Sequence, residues 1–170
     1  MTLCRISYCY AIALTVIAVL PADTFGAQKS LRDQLVGVWV PTAHETTFQD
    51  GGKRQQFGAN PKGMIILDAT GNYTQIFVRP DLPKYRSNDR TQGTPEEHAA
   101  TVRGSVANFG TWTVDEADKT LTYHILGSTF PNQASTDMKC TVNLVGDDWT
   151  STIPQTTSGR RSVMVWRRAK

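Results

Sequence analysis

The stretch Lys62 to Arg79, KGMIILDATGNYTQIFVR, holds two runs of aliphatic, aromatic and β-branched residues around Ala69-Thr70-Gly71. A turn signal between two such runs reads as a β-hairpin. The second run alternates unusually. Tyr73 and Phe77 share a face with Gln75 and Arg79, while Ile76 and Val78 take the other, so neither face is cleanly polar. A sheet with one wet face alternates more sharply. Two arrangements fit: a barrel lumen lined by aromatic rings and a few polar groups, or an outer face covered by a helix or a partner.

Outward from this hairpin the pattern repeats. Val36 to Phe48 is a strand closed by Asp50-Gly51-Gly52, and Phe109 to Val114 pairs with Thr120 to Gly127 around Asp115-Glu116-Ala117-Asp118. Met138 to Val145 and Trp149 to Pro154 meet across Gly146-Asp147-Asp148, and Ser162 to Arg167 is the last strand. With Lys62 to Asp68 and Asn72 to Arg79 this makes eight strands, mostly on short connections. The fold class is therefore all-β, an eight-stranded antiparallel up-and-down barrel.

One segment differs. Thr94-Pro95-Glu96-Glu97 has the form of a capping box with proline at the first helical position. Ala99, Val102, Val106 and Phe109 follow at helical spacing, which predicts a short amphipathic helix lying against apolar surface. The preceding polar loop, Pro80 to Gly93, is 14 residues long, a length typical of lids and flaps.

The first residues read as a secretory signal peptide rather than as fold. Arg5 precedes the 13-residue apolar run Tyr8 to Leu20, then Pro21 and small residues reach Gly26-Ala27 before the chain turns polar. The run is short for a bilayer span. Cuts after Ala22, Gly26 or Ala27 all fit, and the last divides the chain into a leader, 1–27, and one barrel domain, 28–170. The expected location is secreted or periplasmic, without stable membrane insertion after cleavage. Cys4 and Cys9 would leave with the leader, so Cys140 would stand alone and the fold would rest on packing rather than on disulfides. A net charge of +3, with basic residues flanking a strand and no interleaved aromatics, does not point to nucleic acid.

Catalytic motifs are scarce. His44, His98 and His124 are not at metal-ligand spacing, so no metal or other cofactor is expected. No Gly-rich phosphate loop, nucleophile elbow or Cys-x-x-Cys occurs. His44 and Glu45 are neighbours on a strand and point to opposite faces. The polar strand residues Gln75, Arg79, His124, Asn132 and Lys139 remain. With Tyr73, Phe77 and Trp112 they form a candidate set for an amphipathic ligand: rings for its body, polar groups for its head. For Arg79 and Lys139 the competing reading is a side chain that snorkels to solvent at a strand end. For His124, alternation puts Leu121, Tyr123 and Ile125 on a core-like face and His124 towards water, unless the more polar face is the lumen.

A resemblance accompanies these residues. Gly37-x-Trp39 in LVGVWV looks like the Gly-x-Trp signature of lipocalins, in which the tryptophan closes the barrel bottom and packs on a basic residue near the end of the last strand. Arg167 or Arg168 after VMVW matches that partner. The order DGG, FGANPKGMIILDATGNYTQIFVRPD, FGTWTVDEADKTLTYHILGSTFPN, GDDWTSTIP and VMVWRR resembles the lipocalin-like domain family of bacteria and fungi, over about Leu31 to Arg168. His124 and Phe130-Pro131-Asn132 fall on its motif positions. Gln133-Ala134-Ser135 and Lys139 depart from it, where members carry an aromatic and a glycine, and an arginine. The resemblance implies a small barrel that binds an apolar ligand.

Two functions follow as expectations. The first is an exported barrel binding a small hydrophobic or amphipathic molecule, with no catalytic residues. The alternative is an isomerase or cyclase of a lipid-like or polyketide-like substrate, with His124 or Tyr123 as acid/base and Arg79 or Lys139 polarising a carbonyl. The first is preferred, and the oligomeric state is left open.

Overall fold

The Asp68–Asn72 turn at the centre of that first hairpin is held by one carboxylate. Asp68 accepts from the Thr70 hydroxyl and the Asn72 amide, both at 2.8 Å. In this computed structural model, which describes residues 29–170, the turn joins β3 (Lys62–Leu67) to β4 (Asn72–Val78) with full antiparallel register from Lys62↔Val78 to Leu67↔Tyr73. The signal-peptide reading, with Cys4 and Cys9, lies outside the described residues.

The other strands are β1 (Gly37–Thr47), β2 (Lys53–Arg54), β5 (Ser105–Asp115), β6 (Thr120–Ser128), β7 (Thr136–Val145), β8 (Asp148–Ile153) and β9 (Arg161–Arg168). From β3 onward each pairs antiparallel with the next, β9 returns to β1, and β1 pairs with β3. This closes an eight-stranded barrel, with the two-residue β2 as a short flap on the far end of β1. Alternation then decides what is inside. Tyr73, Gln75 and Phe77 of β4 are buried in the lumen, while Ile76 faces out and is 44 % exposed. The polar-and-aromatic face is thus the lumen, the first of the two arrangements the hairpin allows. Outward Met64, Ile76, Phe109 and Leu126 remain exposed.

The Gly37 end of the barrel is shut by aromatic packing and one arginine. Trp39 is fully buried, donates its indole N–H to the Leu35 carbonyl (2.8 Å), and meets Trp149 edge-on at 5.5 Å. The Arg168 guanidinium lies 4.1 Å from the Trp39 ring centre and donates to the Val36 and Gln34 carbonyls. Of the two candidate partners, Arg168 is therefore the one; Arg167 points outward to Asp148. The glycine in Gly37-x-Trp39 has a physical reason. Its φ is +138°, and a Cβ there would lie 2.9 Å from an Arg168 nitrogen. A five-residue helix, α1 (Leu31–Leu35), plugs this end, its first amides bonded to the Glu116 carboxylate and Arg32 resting 4.9 Å from the Trp112 ring centre.

At the opposite end, α2 (Pro95–Gly104) begins as its sequence dictates. Thr94 and Glu97 form the reciprocal capping box. Its end differs from expectation. Val106 and Phe109 belong to β5, because β4 claims every residue from Ser105 as a pairing partner. Val102 is 76 % exposed rather than packed on apolar surface. The polar loop before the helix folds back onto it. Glu97 accepts from the Arg86 amide, the Tyr85 hydroxyl donates to Thr101, and His98 Nε2 lies 3.0 Å from the Arg90 carbonyl.

Candidate functional site

Two bulges shape the upper lumen, at the end opposite Trp39. In β1 the register against β9 slips between Pro41 and Ala43, so Thr42 is an extra residue on the strand. Alternation counted from Trp39 would send His44 outward. The inserted residue reverses it, and His44 and Thr46 are buried inside, 5 % and 3 % exposed. In β6, Leu126 is the extra residue opposite Phe109/Gly110. Gly110 is required here: a Cβ would stand 2.0 Å from the His124 carbonyl oxygen.

The β1–β3 pairing covers only Gly37 to Trp39, and above it β1 leaves β3. Phe57, from the loop after β2, is buried beside this seam. It stacks on Phe77 at 5.4 Å and lies 5.0 Å from the His44 ring. Trp166 continues the aromatic wall, 5.3 Å from Phe77. These rings, with Tyr123, Met138 and Met164, bound a cavity of about 510 Å³ that extends to the loops of the open end. Its polar lining comes from His44, Thr46, Gln75, Asn108, Ser151 and Ser162, with Gln133 and Thr156–Ser158 nearer the rim. A cavity of this size, mostly apolar with a few fixed polar groups, suits a small-molecule ligand.

The electrostatics are nearly neutral. Among the described residues, Arg160 is the one permanently charged side chain on the lining, and its guanidinium sits 4.3 Å from the Phe48 ring centre. Burial lowers the His44 pKa to about 4, so its imidazole is uncharged at neutral pH. Its Nε2 lies 3.1 Å from Ser162 Oγ and 3.3 Å from Thr46 Oγ1, while Nδ1 has no partner. Asn108 donates towards Gln133 Oε1 (3.4 Å), and its own carbonyl oxygen has no partner. Burial also raises the Tyr123 phenol well above its ordinary value and pushes the Cys140 thiol up to about 12, so both stay protonated.

The residues singled out in the sequence divide sharply. Gln75 and Phe77 line the cavity. Tyr73 and Trp112 are inside but below it; Tyr73 packs on Tyr123 at 4.8 Å, and Trp112 bonds the Asp68 carbonyl. Arg79, His124 and Lys139 do not face the lumen. β4 ends at Val78, and Arg79 turns onto Asp81 with two hydrogen bonds. Lys139 is exposed between the inward Met138 and Cys140. His124 is on the outer wall, donating to Asp137 (2.8 Å) with Thr113 Oγ1 3.2 Å from its other nitrogen, a line of three side chains across β5, β6 and β7. Asn132 is exposed on a single 3₁₀ turn, Pro131–Gln133, beside the cavity mouth. Sequence reasoning passed over His44, Phe57, Asn108, Met164 and Trp166. Pro41 inside a strand was the available signal for the β1 bulge, because proline in a sheet marks edges and bulges.

A barrel closed at one end by Gly-x-Trp and a C-terminal arginine, and open at the other over an internal cavity, is a lipocalin-like barrel. A family model described as a lipocalin-like domain matches residues 36–169, and the chain belongs to that family. Two solved structures are similar. One is a lipocalin-like protein from Bacteroides uniformis: 11 % identity, covering 79 % of this chain and 98 % of that one, TM-score 0.44. The other is an uncharacterized protein from Bacteroides eggerthii, with 10 % identity, the same coverages and TM-score 0.40. No curated protein matches the chain.

Proposed function

We propose that this protein is an exported carrier that holds one small hydrophobic or amphipathic molecule in the upper half of its barrel. The observation that carries the reading is the cavity of about 510 Å³ between Phe57, Phe77, Trp166 and the two lumen methionines. Export rests on the leader-like Tyr8 to Leu20 run, and a mature N-terminus found by mass spectrometry near Gln28 would support it; an intact Met1 in exported material would contradict it. Binding is tested by titrating the neutral dye Nile red and following its fluorescence. A saturable, single-site rise is expected, and no rise at micromolar protein would overturn the carrier reading. Native mass spectrometry of gently purified protein is the complementary search for a resident molecule.

One observation favours the second reading, an isomerase or cyclase of a lipid-like or polyketide-like substrate. His44, a residue of the cavity lining, carries a neutral imidazole whose buried Nδ1 has no hydrogen-bond partner, the form a general base requires. His124, on the outer wall, cannot reach a molecule held inside. Turnover of any substrate found should fall at least about 100-fold in His44→Phe and be unchanged in His124→Ala.

A further inference from the structure

The carrier reading says that something apolar is held; the polar atoms left without partners say what kind of molecule it is. Buried donors and acceptors are almost always satisfied, and each exception calls for an explanation. Of the four exceptions among the described residues, two, His44 Nδ1 and Asn108 Oδ1, belong to side chains that line the cavity, and both residues are at least nine-tenths buried. The two residues lie on β1 and β5. We infer that the ligand is an uncharged, ring-bearing molecule whose hydrogen-bonding head is met by the neutral side chains of His44 and Asn108. This deepens the carrier reading and rests on it.

Charge and shape support the inference separately. Among the described residues no Asp, Glu or Lys lines the cavity, and Arg160 is engaged with Phe48. A carboxylate or ammonium brought beside His44 would lose its hydration with no opposite charge to meet, which disfavours it strongly. A neutral amide, lactam or alcohol loses far less and recovers it in hydrogen bonds. Asn108 Oδ1 is an acceptor only, so the head must bring a donor. Phe57, Phe77 and Trp166 form a continuous aromatic wall with centroid spacings of 5.4 and 5.3 Å, which favours a flat ring system over a flexible chain.

The test displaces Nile red from the full mature chain with three naphthalenes that differ only in head group: carboxamide, carboxylate and methylammonium. The expected order puts the carboxamide at least about tenfold tighter than either ion. In His44→Phe and Asn108→Leu, checked for native circular dichroism, that preference should shrink towards one. Equal or tighter binding of the carboxylate would overturn the inference, since it would place an acid head at Arg160. Tighter binding of the ammonium would overturn it too. If a variant does not fold, the wild-type head-group series decides alone. The two levels fail separately. Nile red that does not bind removes the carrier reading itself; Nile red that binds while the carboxamide shows no advantage leaves the carrier and removes only the head-group assignment.

Discussion

The two halves of this barrel use the same strands for opposite purposes. Below, Trp39, Trp112 and Trp149 are essentially fully buried, and the Trp39 and Trp112 indole N–H groups reach backbone carbonyls. Above, Phe77, His44 and Asn108 surround a space; buried polar atoms without partners occur in both halves, Tyr73 Oη and Trp149 Nε1 below and His44 Nδ1 and Asn108 Oδ1 above. One half converts side-chain volume into stability, and the other forgoes it to keep a cavity. The boundary runs near Tyr123, which packs on Tyr73 and also lines the cavity.

If that contrast is right, the largest effect comes from the closed end. Trp39→Ala should destabilise by about 3–5 kcal/mol, as large-to-small changes in packed cores do, seen as a lower denaturation midpoint at unchanged m-value. The next effect belongs to the cavity and is one of pH. His44 titrates at about 4 in the folded chain against about 6.5 when unfolded, so the unfolded state binds the extra proton. Stability should therefore fall as pH drops from about 6.5 to about 4, by roughly 3 kcal/mol in total. The comparison with His44→Phe isolates this, since that variant loses the slope while the carboxylates still titrate. A parallel pH profile in both would remove the buried neutral imidazole from the account.

A smaller effect probes the cap itself. Arg168→Lys keeps the charge but loses the fork that spans the Val36 and Gln34 carbonyls over the Trp39 face, for about 2 kcal/mol by denaturant titration. The smallest effect is on the outer wall. His124→Ala breaks only exposed contacts with Asp137 and Thr113 and should change stability by less than about 0.5 kcal/mol, with Nile red affinity unchanged. A large loss of binding there would mean that the inner and outer walls have been assigned the wrong way round.

The sequence was legible where its signals were local. Turn residues after Leu67 and after Val145, the Thr94 capping box and the Gly37-x-Trp39 pair each depend on a few neighbours, and each has its counterpart in the structure. What was not legible depends on counting across an irregularity. Alternation is a parity argument, and the single extra residue Thr42 inverts parity for the rest of β1, which hid His44. Arg79 shows the complementary failure: its parity pointed inward, but the strand ended one residue before it. Phe57 lies in a loop, where no periodicity says which way a side chain turns. α1 and β2, at five and two residues, are too short to show a pattern.

The methionines offer the most direct view of the central claim, that the ligand space is the upper lumen. Met138 and Met164 line the cavity, whereas Met64 lies on the outer wall, 42 % exposed. In protein labelled with ¹³C at the methionine methyl groups, saturating Nile red should shift the Met138 and Met164 resonances and leave Met64 in place. A shift of Met64 alone, with the two lumen methyls unmoved at saturation, would put the ligand on the outside of the barrel and contradict the account.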